Sequence, residues 1–157
     1  MCIRDRVSLQ EARQLYVEGY YQAAVEAYEA ALTAGDNRLG ATLGLVRPLE
    51  QLGRYQQALE RLAAVEQQGR SVADWHEARA RMLKHLGRYH QAIAHCRTAL
   101  RLDPDHFAAR YLLGTLLETV GKKPEAIAAY KWFNDLLAER LPEEASKLVY
   151  AGQGLYR

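Results

Sequence analysis

The sequence predicts an all-α protein, an α-solenoid built by repeating one antiparallel helix-turn-helix unit about four times. Three observations lead there. Ala, Leu, Glu, Gln and Arg, all strong helix formers, dominate a chain that is 49% hydrophobic and 25% charged, the balance of a folded domain. Strand signals are poor, with few Val, Ile and Thr and no run of period two. Above all, "GRYQQAL" at Gly53 returns as "GRYHQAI" at Gly87, and the same 34-residue step reaches "GYYQAAV" at Gly19 and "GKKPEAI" at Gly121. A fixed period of this size marks a repeat architecture.

Taken in chain order, Met1 to Arg6 (MCIRDR) come first and lack the periodicity of the rest. No apolar stretch follows them as in a secretory signal, and Cys2 has no partner base or second cysteine beside it. Written as codons, ATG-TGT-ATA-AGA-GAC-AGR, they look like the end of a transposase adapter used in sequencing libraries. Residues 1–6 are therefore read as a non-native scar, with the native N-terminus upstream and the cell compartment left open.

Four units are expected over 7–138, at about 7–38, 39–72, 73–106 and 107–140. In each, Gly19, Gly53, Gly87 or Gly121 supplies the left-handed end of the first helix. Tyr21, Tyr55 and Tyr89 follow two residues later and are expected to fold over the joint; Lys123 replaces them in the fourth copy. Ala24, Ala58, Ala92 and Ala126, five residues after each glycine, let the second helix approach the first closely. Leu59, Leu62, Ala63 and Val65 continue at helical spacing. Ser8 and Glu11 predict a capping box for the first helix. Pro48 is expected to remove a hydrogen bond and bend the second unit's first helix, with Gly44 one turn earlier relieving the clash. Pro104 in "LRLDPDH" stops the third unit. Residues 141–157 predict one further helix, a cap on the last repeat or the start of a truncated unit.

These features resemble the tetratricopeptide repeat family. "GRYHQAIAHCRTALRLDPDH" is similar to the second half of that family's unit, and "ARYLLGTLLETVG" to the first half, with Leu113-Gly114 at its Leu-Gly pair. The first helices of the other three copies lack that pair. The resemblance implies a right-handed solenoid whose first helices line a concave groove. Arg13, Arg47 and Arg81, each 34 residues from the next with Thr115 fourth, would face it. By the same carry-over the neighbouring groove positions are Leu9, Tyr16, Leu43, Glu50, Glu77, Lys84, Tyr111 and Glu118. A ladder of guanidiniums can grip carboxylates bidentately; solvated arginines paired with Glu50 or Glu77 are the simpler alternative. Some family members hold C-terminal carboxylates in a Lys/Asn clamp, but here Leu9 stands at one lysine position and arginine or other residues at the clamp asparagine positions.

No catalytic constellation is present: there is no phosphate-binding glycine loop, no His-Glu-x-x-His and no Cys-x-x-Cys. His85, His90, His95, Cys96 and His106 are the nearest to a metal set. His90 and His95, five apart, do not share a helix face, and Cys96 falls at the interior position held by Tyr28 and Tyr130 in other copies. No metal or cofactor is expected. A formal charge of +2 does not describe a nucleic-acid surface, and no apolar run approaches the roughly 20 residues that span a bilayer. The expected function is a non-catalytic scaffold that binds a protein or peptide, with acidic groups, in the groove. The alternative is the repeat region of a larger enzyme or secretion component whose active module lies elsewhere.

Overall fold

The computed structural model describes residues 8–35 and 37–140; the expected scar and the expected final helix lie outside the described residues. Ser8 caps α1 (Leu9–Val17), its hydroxyl accepting the Glu11 N–H at 3.1 Å. Beyond Gly19 the chain returns as α2 (Tyr21–Ala34). Asn37 caps α3 (Arg38–Gln51) by accepting the Gly40 N–H at 3.0 Å, and does so at φ 44, a left-handed conformation that Asn tolerates. The second pair is completed by α4 (Tyr55–Ala64) and the single turn α5 (Glu66–Gly69). The third pair is α6 (Ala73–His85) with α7 (Tyr89–Leu102). The fourth is α8 (Phe107–Thr119) with α9 (Lys123–Arg140). Among the described residues there is no strand, and no helix is long and apolar enough to cross a membrane.

All four turns use one backbone solution. Gly19, Gly53, Gly87 and Gly121 lie at φ +73 to +89. The next residue sends its N–H to the carbonyl five positions back: Tyr20 to Leu15, Arg54 to Leu49, Arg88 to Leu83 and Lys122 to Leu117, at 2.8–2.9 Å. These bonds satisfy carbonyls that the helix end leaves without partners. Only glycine enters that left-handed region without strain, so the 34-residue period is a period of turn geometry.

Each first helix packs on its own second helix, and α3, α6 and α8 also pack on the second helix before them. First helices also touch one another (α1·α3, α3·α6, α6·α8), and no contact of that extent joins successive second helices among the described residues. The stack therefore closes toward its first helices, which form the inner face. This is an all-α helical-repeat solenoid. Between the layers Ala24, Ala58 and Ala92 are wholly buried, and Ala126 is 3% exposed, leaving no room for a longer side chain.

In the second pair Gly44 and Val65 depart from expectation. α3 runs unbroken through the buried Pro48. The space at Gly44 is taken by the Tyr28 ring, whose Cε1 would lie 2.3 Å from an added Cβ. Gly114 seats Tyr130 in the same way, at 2.7 Å. Leu43-Gly44 thus does for Tyr28 what Leu113-Gly114 does for Tyr130, but nine rather than seven residues before the turn glycine. Helical geometry breaks at Val65, which leaves the helix at φ −114, ψ 24 while staying buried; Ala63, expected on the apolar face, is exposed. There the Trp75 indole N–H donates to the Leu62 carbonyl at 2.9 Å, and the same carbonyl accepts the Val65 N–H at 3.2 Å. Gly69 then passes against the same ring, where a Cβ would lie 2.3 Å from it.

Candidate functional site

The inner face holds a groove of about 630 Å³ between the first three first-helices. It brings together seven of the twelve residues expected there: Leu9, Arg13, Tyr16, Leu43, Arg47, Glu77 and Arg81. α1 supplies Leu9, Arg13 and Tyr16 at spacings of four and three, the spacing of one helix face. Val17, 68% exposed, extends the apolar wall. Tyr28 forms the floor; burial pushes its hydroxyl upward, opposed by the charges of both Arg13 and Arg47. Arg47 also acts on Glu77, so its guanidinium lies electrically between the Tyr28 floor and the third pair.

The three arginines do not form a uniform ladder. Arg13 and Arg47 are exposed and, among the described residues, meet no carboxylate. Arg81 is enclosed by two. Its Nη1 donates to Glu50 Oε1 at 2.7 Å, and its Nε lies 2.8 Å from Glu77 Oε1. The second contact is ionic rather than an aligned hydrogen bond. Glu77 is only 8% exposed, and burial raises its carboxyl while Arg81 pulls it back down. Glu50 also accepts from His85 Nε2 at 3.0 Å, and that imidazole stacks on Tyr55 at 4.2 Å with planes 4° apart. The simpler alternative, arginine paired with Glu50 and Glu77, thus describes Arg81.

The remaining expected residues lie apart from the groove's lining. Glu50 stands behind Arg81, and Lys84 is half-buried on the next turn of α6. Tyr111, Thr115 and Glu118 gather round Tyr130 in the fourth pair. The Tyr130 hydroxyl lies 3.3 Å from Thr115 Oγ1 and 3.1 Å from Glu118 Oε2, and its ring centre is 6.0 Å from that of Tyr111. Of the turn tyrosines, Tyr21 packs on Tyr16 at 5.8 Å within its own pair, Tyr55 reaches across to His85, and Tyr89 is half-buried against the core. Pro104 lies between the end of α7 and the start of α8.

As lining residues, sequence reasoning missed Val17, Tyr28, Gly40, Gly44, Asp74 and Ala78. Asp74 and Gly40 share one column, three residues before Glu77 and Leu43; extending the groove face by one turn of α3 and α6 would have found both. A second concavity of about 590 Å³, over Leu15, Ala23 and Ala27, contains none of the expected residues.

The histidines and Cys96 disperse. His95 pairs with His76, Nδ1 to Nδ1 at 3.0 Å, while His76 Nε2–H donates to the Arg70 carbonyl at 2.8 Å. His106 Nε2–H donates to Asp74 at 2.6 Å, and its Nδ1 caps α8 by accepting the Ala109 N–H at 3.1 Å. His90 is exposed. Cys96 is wholly buried and its thiol is pushed up to about 12, mainly by that burial, a chemically inert state. Among the described residues no three His, Cys, Asp or Glu side chains are placed to hold a metal ion.

Comparison with known proteins agrees with this architecture. The profile of the tetratricopeptide repeat family matches residues 43–105 and 85–132, together more than half of the chain. No curated protein sequence is significantly similar. Among solved structures, TTC0263, a thermophilic TPR protein of Thermus thermophilus, superposes with a TM-score of 0.75 at 24% identity, over 93% of this chain and 81% of that one. A MamA RS-1 ArsTM double mutant gives 0.73 at 20% identity, over 84% and 74%. MamA from Desulfovibrio magneticus RS-1, residue 41 to the end, gives 0.73 at 19% identity, over 87% and 80%. At these identities the likeness is one of fold.

Proposed function

Because the chain belongs to the tetratricopeptide repeat family, whose repeats typically serve as non-catalytic scaffolds for other proteins, we propose that its inner groove holds an extended or helical partner segment bearing acidic groups. The observation that carries this reading is the pair Arg13 and Arg47. Two exposed guanidiniums of like sign share one groove, and among the described residues neither is ion-paired to the carboxylates that line its far end, Asp74 and Glu77. A ligand carboxylate relieves their mutual repulsion and is matched by their planar donor forks. Leu9, Leu43, Val17 and Tyr16 offer apolar contact beside them, so an acidic residue flanked by an aliphatic one fits better than a free anion. The test is fluorescence anisotropy with a library of labelled acidic peptides. Replacing Arg13 and Arg47 together by alanine should weaken capture by roughly tenfold per guanidinium lost, with helicity unchanged by circular dichroism. Equal capture by parent and double variant contradicts the proposal.

A further inference from the structure

The same groove changes sign along the stack. At its first two pairs the charged lining is Arg13 and Arg47. At the third pair it is Asp74, Glu77 and Arg81, with Glu50 sharing the Arg81 guanidinium from behind. Three carboxylates thus stand against one guanidinium there. Asp74 is the accessible one, its side chain 69% exposed. Its partner His106 does not cancel its charge. The His106 Nδ1 accepts the Ala109 N–H, so the proton on Nε2 belongs to a neutral ring that donates to Asp74.

From this polarity, and resting on the peptide-groove reading above, we infer that the groove selects a bipolar segment and fixes its direction. The segment's acidic residues lie over Arg13 and Arg47, and a lysine or arginine at its other end lies against Asp74. A segment acidic throughout places a carboxylate at Asp74, where like charge opposes it. A segment with the opposite charge order meets the same opposition unless it turns end for end. The apolar wall belongs to the first two pairs (Leu9, Tyr16, Val17 and Leu43), so the segment's aliphatic contacts fall at its acidic end.

The test compares two labelled peptides of equal length on the whole chain, one acidic at one end with lysine at the other, one acidic throughout. The bipolar peptide should bind more tightly by about two- to fivefold. Asp74→Asn, which keeps the size and the bond to His106, should erase that advantage while leaving the all-acidic peptide at least as tightly bound. A nitroxide on the lysine end should broaden the amide signals of Asp74 and Ala78, and one on the acidic end those of Leu9 and Tyr16. Equal affinities that Asp74→Asn does not alter, or broadening at both ends from either label, overturn the polarity while the acidic-peptide reading stands. If neither peptide binds the parent, both fall.

Discussion

Arg47 and Arg81 occupy one column of successive repeats, 34 residues apart, yet they are in opposite situations. Arg47 faces an open groove and meets no carboxylate among the described residues; Arg81 is closed between Glu50 and Glu77. The surroundings differ in the same way. The first two pairs carry the apolar wall of α1 and α3, whereas the third is fastened from behind by the wholly buried Trp75 and by the His76–His95 pair. The repeat decides which way a side chain points, and its neighbours decide whether it is free to bind.

The sharpest way to break that contrast is to unfasten the third pair. Trp75→Ala removes a buried indole and its bond to Leu62, and should cost about 3–5 kcal/mol in denaturant unfolding; a loss under about 1 kcal/mol would show that this ring does not anchor the pair. Arg81→Ala leaves Glu77 and Glu50 without their shared cation in a half-closed setting, and should cost about 1–3 kcal/mol. Arg47→Ala, by contrast, should stay within about 0.5 kcal/mol of the parent. Equal losses at the two positions would show that the two arginines are held alike.

Gly44→Ala probes the open half. Its added methyl meets the Tyr28 ring and should cost about 1–3 kcal/mol. In a Tyr28→Ala background the same change should be neutral or gain helix propensity, and an unchanged penalty there would refute the steric account.

Acid should act on the third pair. Burial, with Arg79 and His76 beside it, pushes His95 down to about 4 from an ordinary 6.5. The folded ring therefore stays neutral while the unfolded chain takes up a proton. Its contribution is complete above pH 6.5 and is lost as pH falls toward about 4. Glu77, raised by burial, works in the opposite sense, because the folded state takes its proton first. The part due to His95 is the difference between parent and His95→Gln melting curves across that window. Parallel curves would remove His95 from the account.

How much of this could be read in advance follows from the same physics. The glycine turns were legible because one backbone state admits one residue type, so geometry leaves a letter in the sequence every 34 positions. The arginine column was legible because it inherits that period. Its division was not, since the Glu50–Arg81 pair joins two helices of different repeats across 31 residues. The displaced Leu43-Gly44 pair escaped a column-by-column reading because Tyr28 reaches forward to the next repeat while Tyr130 packs back on its own. Trp75 left no periodic trace at all: at its column the other repeats place Ala41 and Ala109, and only the tertiary structure shows the Leu62 carbonyl meeting an indole.

On the proposed reading, availability rather than position in the repeat makes an arginine a binding residue. Titrating one acidic peptide against Arg47→Ala and Arg81→Ala in parallel, at a temperature where both are folded, separates the two. Arg47→Ala should lose roughly tenfold in affinity, while Arg81→Ala should change it by no more than about twofold. An equal loss at both positions, or a larger loss at Arg81, would contradict the account.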